Sequence, residues 1–339
     1  ECGISMKSRN AQSILESLCK KTHRLLLRYL LKQTLLVALG MTLMVAELGI
    51  FLYFFLFSGK TLLPAFCLAC FVLTIFICLV IRLYILSKKT EFFDKLLADF
   101  VHQAQVIFKK KNMMEEHPEI AAAVTQLSLV MQNQEYFVFC NLLKIVPPYD
   151  SIKKFSCFCF WKDYFSFREM LLQKAIDLYL LVVQAIPTDL GAHVSLADAY
   201  VSLSGLYADP RKYTEFDTKY WVPPGRYGED IQEKFFATAH RATEEFKILN
   251  EYAPGNVWVH TQLAYSYHDL QMPKKEIREY EIVLKLKPHD ANTIMKLGIL
   301  YFQQGMNAKG LQVYEQLRKV ASPLKKSKKL IKFYGVVAK

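Results

Sequence analysis

Glycine and proline are scarce in this chain of 339 residues, at 13 and 12. That scarcity excludes collagen-like and glycine-linker architectures and argues against a turn-dense all-β fold. It also leaves little from which to build a loop that cradles phosphate. No phosphate loop, dinucleotide glycine pattern, nucleophile elbow or paired-histidine metal motif occurs. The sequence therefore supports no enzyme, no cofactor and no metal site. The eight cysteines show no disulfide-framework spacing, and Cys67, Cys70 and Cys78 lie in an apolar run, so a reducing compartment is expected. Cys157-x-Cys159 has the wrong spacing for a zinc knuckle and no second pair answers it. Acids interleave with the Lys and Arg of the C-terminal half, which argues against nucleic acid as a partner. With 53% hydrophobic and 22% charged residues disorder is excluded for most of the length. Helix is what remains, in at least two structural units.

What is present begins with charge and apolar runs. The net charge is +12, and half of it falls between Glu1 and Leu86, where nine Lys or Arg face three acids. Of Asp, Glu, Lys, Arg and His, Thr34–Phe57 contains one, Glu47, and Leu62–Ile81 none. Each run is long enough to cross about 30 Å of hydrocarbon as a helix. Only Ser58, Gly59, Lys60 and Thr61 separate them, so they are expected to form a hairpin with both ends on one side. Lys20, Lys21, Arg24, Arg28 and Lys32 lead in, and Arg82, Lys88 and Lys89 close it. The positive-inside rule then puts both termini in the cytoplasm. The long charged lead and the second span argue for an anchor rather than a cleaved signal, and Met6 is a candidate start behind Glu1. Glu47 is expected near Thr74 and Cys70, hydrogen-bonded locally or paired across an oligomer, and too far from Arg82 for an ion pair.

Beyond Lys89, Phe93, Leu97, Phe100, Ala104 and Ile107 mark an amphipathic helix ending near Lys109. A second helix is expected from Glu119 to about Ile145, stopped by Pro147-Pro148. The aromatic stretch Phe155–Phe167 reads as a membrane-touching or partner-touching loop, or as a buried packing segment. Downstream a period of 34 appears: Pro254 and Pro288, Leu263 and Leu297, Ala264 and Gly298, Tyr267 and Tyr301, and Tyr280 and Tyr314. This pattern resembles the tetratricopeptide repeat, a helix-turn-helix unit that stacks into a solenoid with a concave face. Residues 168–322 carry it, with Glu276 and Gly310 at the small-residue slot of the second helix and an insertion at about 208–233.

The expected architecture is all-α. A basic cytoplasmic segment, 1–33, precedes a transmembrane helical hairpin, 34–86; amphipathic helices and a degenerate first repeat fill 87–167, and the repeats are followed by a basic capping helix, 323–339. Family resemblance implies that the first helix of each repeat lines a groove, through Val194 and Asp198, then Trp258, Thr261, Tyr265 and His268, then Asn292, Met295, Ile299 and Gln303. The Lys and Asn clamp of chaperone-binding members is missing, so the implied ligand is an apolar helix or extended segment of a protein, anchored on Trp258 and Tyr265. His260 and His268 read as ordinary helix residues rather than metal ligands. The expected function is a membrane-anchored scaffold holding a protein partner at a bilayer surface. Two alternatives stand beside it. The hairpin could act itself as an oligomeric pore or proton-linked element through Glu47, or the chain could be similar to chlamydial inclusion membrane proteins, whose bilobed hydrophobic hairpin it resembles in shape. The insertion is expected to fold back on the repeats.

Overall fold

The computed structural model describes residues 2–57, 62–109, 113–143, 149–212 and 221–320. The expected turn 58–61, the aromatic centre of the insertion and the basic capping helix 323–339 lie outside the described residues. Among those described every regular element is helical, and the chain divides into two compact units, residues 1–171 with 219–221 and residues 172–218 with 222–339.

In the first unit the long helix α1, Cys2–Phe57, lies antiparallel to α2, Leu62–Phe108. Both run unbroken from the apolar runs into the charged sequence that flanks them. Tyr29 stacks on Phe92 with ring centroids 3.8 Å apart. The basic lead is therefore not a separate segment. Its Leu15, Leu18, Thr22, Leu26 and Leu30 recur at three and four and are buried, while Lys20, Arg24 and Arg28 lie off that stripe. The apolar runs behave otherwise: no residue in the most apolar stretch of either helix is buried. Both helices are long and apolar enough to cross a membrane. The hairpin closes tightly because Gly40 presents no side chain to Cys78; a Cβ there would meet its Sγ at 3.0 Å.

The rest of this unit departs from expectation in two places. The helix expected over Glu119–Ile145 is instead α3, Met113–Val130, a 3₁₀ turn at Gln134–Tyr136, and α4, Val138–Leu143. Asn133 takes a left-handed conformation (φ 61°) at the break, which Asn tolerates better than most residues. Ser156 from α5, Tyr149–Ala185, holds the broken backbone: its Oγ donates to the Glu135 carbonyl at 2.6 Å and accepts from the Phe139 amide at 3.5 Å. The aromatic stretch 155–167 is not a loop but the first half of α5. Phe160, Tyr164 and Phe167 are buried, with Phe167 against Phe93 and the Tyr164 hydroxyl 3.0 Å from His23 Nε2. Burial lowers the pKa of His23 and leaves it a neutral partner.

The second unit repeats a pair of helices. Helices α6, Leu190–Tyr207, and α7, Glu229–Tyr252, form the first full pair. They are followed by α8, Val257–Asp269, with α9, Pro273–Leu286, and by α10, Ala291–Gln303, with α11, Asn307–Val320. Both helices of the last two pairs begin 34 residues apart, so the sequence period is a spatial one. The pair α6/α7 holds its excess partly in longer helices, 18 residues against 13 and 24 against 14, and partly in the connection between them. One punctuation serves each junction. Pro187, Pro254 and Pro288 end a helix, and two residues later Asp189, Asn256 and Asp290 cap the next by accepting from its backbone amides at 2.9 to 3.2 Å. Within each of the last two pairs the first helix ends in a left-handed residue, Gln271 (φ 55°) and Gly305 (φ 72°). There the amides of Met272 and Met306 reach back to the Tyr267 and Tyr301 carbonyls, both at 2.8 Å.

Two side-chain devices tie the repeats. His193 lies between Glu245 Oε2, 2.7 Å from its Nδ1, and the Pro187 carbonyl, 3.0 Å from its Nε2. His260 repeats this with Glu279 at 2.7 Å and the Pro254 carbonyl at 2.9 Å. A carboxylate and a carbonyl can only accept, so each ring bonds both partners only when both nitrogens carry a proton. In the last repeat Ile294 takes the histidine position, and Gln316 Nε2 donates to the Pro288 carbonyl instead, at 3.1 Å. The second device explains the irregular small-residue slots. Glu276 sits opposite His268, at 3.2 Å, whereas Gly310 sits opposite the buried Phe302, whose ring occupies the space of a Cβ. The pair changes together from imidazole and carboxylate to large and small.

Candidate functional site

The first helices of the last two repeats, α8 and α10, bound a pocket of about 790 Å³. Trp258, Thr261 and Tyr265 reach it from one side because they recur at three and four along α8. Asn292 and Lys296 reach it from α10, and Tyr280 and Val283 of α9 line it too. Trp258 is 38% exposed and Tyr265 42%, unusual for side chains of this size in a packed repeat. The Trp258 ring stands edge-on to the buried Phe246, with centroids 5.9 Å apart, so its position is fixed while one face stays open. Lys296 Nζ donates to the Tyr265 hydroxyl at 2.9 Å and lies 4.1 Å from the centre of that ring. The same ammonium is 5.9 Å from the Tyr280 ring centre. Burial first, and then the fields of Tyr265 and Glu276, push the Tyr280 phenol well above its ordinary pKa, so this wall is uncharged. The pocket is thus an aromatic surface with the Lys296 ammonium held against it, and Lys287 and Asp290 also line it, an arrangement suited to an apolar side chain next to a hydrogen-bond acceptor.

Of the ten groove residues implied by the sequence, this pocket unites Trp258, Thr261, Tyr265 and Asn292. The other six lie elsewhere. Val194 packs against the core of Ala197, Phe246 and Leu263, and Met295 and Ile299 against the core of α10 and α11. Asp198 is exposed on α6, where partial burial raises its carboxyl pKa. His268 is turned to Glu276, whose hydrogen bond raises its pKa, and Gln303 is exposed at the end of α10. Lys296 was missed because it stands one position beyond the inward series of α10. The signal available was its place one helical turn after Asn292.

A second cavity, of about 460 Å³, opens at the connection between α6 and α7. Tyr207, Tyr227, Phe235 and Phe236 line it with Arg211 and His268. Arg211 donates to both oxygens of Asp209, at 2.9 and 2.8 Å, and its guanidinium lies 3.6 Å from the Tyr227 ring centre. Arg226 Nη2 donates to the Leu206 carbonyl at 3.2 Å, and Val222 and Pro223 are buried. The described ends of the insertion are therefore pinned to their own unit, while Tyr213, Phe216 and Tyr220 lie outside the described residues.

In the apolar hairpin, Thr74 Oγ1 donates to Glu47 Oε1 at 2.8 Å, and Glu47 Oε2 is buried without a hydrogen bond. Among the described residues no cluster of three or more His, Cys, Asp or Glu could hold a metal ion.

Stacked helix-turn-helix units of this period, with proline at the junctions and tyrosine and small residues between helices, define an α-solenoid of tetratricopeptide type. Solved structures similar to the chain are of the same kind. They include TTC0263, a thermophilic TPR protein of Thermus thermophilus, at 14% identity over 70% of this chain and 98% of that one, with a TM-score of 0.32. YrrB, described as a TPR protein with an unusual peptide-binding site, shares 13% identity over 62% and 99%, with a TM-score of 0.28. The TPR2AB domain of yeast Sti1, solved with a pHSP90 partner, shares 12% over 75% and 96%, with a TM-score of 0.27. These are likenesses of helical-repeat architecture alone. No protein-family model matches the chain, and no curated protein matches its sequence.

Proposed function

We propose that this chain is a membrane-anchored scaffold that captures a segment of a partner protein in the pocket between α8 and α10. The observation that carries the reading is the open face of Trp258 beside Tyr265 and Lys296. An apolar anchor residue of an extended or helical segment fits between the two rings, and Lys296 adds an attraction for a carbonyl or carboxylate beside it. In this reading α1 and α2 cross a bilayer as a hairpin with both termini cytoplasmic, in a bacterial inner membrane or, as the inclusion-type alternative, in a vacuole membrane facing host cytosol. Fractionation of the source cells distinguishes these two. The Trp258→Ala/Tyr265→Ala variant of the full chain in detergent is expected to lose about 2 kcal/mol or more of partner affinity while keeping its helical circular dichroism. Capture that is unchanged in this variant removes the groove assignment.

The unpartnered Glu47 Oε2 supports keeping a second reading, in which copies of the hairpin assemble into a pore or proton-linked element. A buried acid in hydrocarbon is commonly functional, but Thr74 already meets one oxygen of this one. Glu47→Gln is expected to retain insertion and partner capture if the hairpin is an anchor. Loss of ion or proton flux across reconstituted vesicles in that variant, with flux present in the parent, would establish the pore reading in its place.

A further inference from the structure

The first half of α5 carries a face that the packing of its own unit leaves largely open, although the Phe155 ring stacks on Phe139 of α4 with centroids 5.5 Å apart. Ser151, Lys154, Phe155, Phe158, Trp161, Lys162 and Phe165 fall in a stripe about 120° wide at 100° per residue. Phe155 is 59% exposed and Phe158 66%, Lys154 and Lys162 are exposed, and Trp161 and Phe165 are half-buried. The opposite side of the same turns holds the buried Ser156, Phe160, Tyr164 and Phe167. The exposed face is therefore a fixed surface on a packed helix.

Its position relative to the apolar hairpin follows from two contacts. Asp163 meets Lys89 Nζ at 2.5 Å, and Phe167 meets Phe93 with centroids 5.2 Å apart. Four residues along α5 thus match four along α2 in the same sense, and the turns of α5 before Asp163 extend toward the apolar end of α2. At about 1.5 Å per residue, Phe158 stands roughly 7.5 Å and Phe155 about 12 Å beyond Asp163. Lys89 itself is about 12 Å past Ile81, the last residue of α2's uncharged apolar run, a distance that the turns back to Phe155 span. The aromatic turns of α5 therefore reach the level where that run ends.

We infer that the Phe155–Phe158–Trp161 face of α5, with Lys154 and Lys162, rests on the anionic cytoplasmic leaflet, at the boundary between headgroups and acyl chains. The inference rests on the reading that α1 and α2 span a bilayer. Its chemistry is that of an interfacial helix: aromatic rings sit at headgroup depth, and exposed lysines near the surface are attracted to anionic lipid. The Trp221 ring lies 6.3 Å from that of Phe158 and extends the aromatic face. A soluble partner would find the same surface only at the plane of the membrane, where lipid is always present.

The test uses the full chain in phosphatidylcholine vesicles with and without phosphatidylserine. Trp221→Phe/Trp258→Phe leaves Trp161 as the single tryptophan, and lipids brominated near the headgroup serve as the quencher. Trp161 emission is expected to fall in brominated vesicles, more so with phosphatidylserine, and Lys154→Glu/Lys162→Glu is expected to remove that added quenching. A second reporter, Leu43→Trp with all three native tryptophans replaced by Phe, reads the hairpin alone. Quenching at Leu43→Trp without quenching at Trp161 overturns the inference and assigns the face to a protein contact. Absence of quenching at both overturns the membrane span and this inference with it.

Discussion

His193→Ala is expected to destabilise the repeat unit by about 3 to 5 kcal/mol, the range for removing one member of a buried ion pair. The loss would exceed that of the packing alone, because Glu245 keeps its charge and the Pro187 carbonyl its lone pair with nothing to donate to either. Removing both charged partners together, as His193→Leu/Glu245→Leu, should cost much less, since the site then becomes apolar. The comparison is read from urea unfolding followed by Trp258 fluorescence, with Trp161 and Trp221 replaced by Phe. Equal losses in the single and double variants would show that the side chains act by volume only. The same pair sets a pH dependence. Burial alone would lower the pKa of His193, but its bonds to Glu245 and the Pro187 carbonyl, and the fields of Glu245 and Asp189, raise it overall. The groups facing the ring are thus Glu245 of α7, Asp189 at the start of its own helix and the carbonyl that closes α5. A group with a raised folded value contributes its stability in full below the ordinary histidine pKa and loses it as the pH rises through that raised value. Stability should therefore fall in the parent as the pH rises above the ordinary histidine range, and less so in His193→Leu/Glu245→Leu.

Gly310→Ala is expected to change sign with its neighbour. In the parent a Cβ at this position would stand 2.6 Å from Phe302 Cδ1 and 2.8 Å from Cζ. The ring is fully buried and has nowhere to move, so overpacking of about 1 to 3 kcal/mol outweighs the gain of up to about 1 kcal/mol from alanine over glycine in a helix. Phe302→Ala alone should cost about 3 to 5 kcal/mol. With Phe302 gone the clash vanishes and only the helical gain remains, so Gly310→Ala should then stabilise. Additive effects in the four-member cycle would refute the coupling.

These two sites show where sequence reasoning reaches and where it stops. The 34-residue spacing of Leu263 and Leu297, or of Tyr267 and Tyr301, is visible because equivalent residues keep the same type. The pairs at 268/276 and 302/310 also obey the period, but each pair changes character as a unit. Read singly, Glu276 and Gly310 look like defects in the motif, and only the partner across the helix pair explains them. The histidine ties escape for a related reason: His193 and His260 lie 67 residues apart, and the repeat that follows replaces the histidine by Ile294. In the basic lead the charges of Lys20 to Lys32 conceal a leucine stripe of helical period. In α5 aromatics lie on both faces, so no periodicity separates the buried Phe160 and Phe167 from the exposed Phe155 and Phe158. Contacts from α1, α2 and α4 decide that, and they come from residues far away in sequence. The pocket is legible in Trp258, Thr261 and Tyr265 of α8 and in Asn292 of α10, whereas Lys296 is an ordinary surface lysine until its ammonium is seen beside the tyrosine ring.

The absence of a break in α1 has a mechanical meaning. If α1 crosses a bilayer as proposed, it continues from hydrocarbon into a folded unit without a hinge and makes that unit the outer end of a lever arm. The part of α1 that carries the buried leucine stripe, residues 11 to 33, would then extend about 35 Å beyond the span at 1.5 Å per residue. Helices answer a change in bilayer thickness by tilting, and a tilt of roughly 10° would swing the far end of such an arm sideways by about 6 Å. Two such arms, α1 and α2, are locked side by side through Tyr29 and Phe92 and would turn together. The thickness of the surrounding lipid would then become an angle of the unit at the bilayer surface.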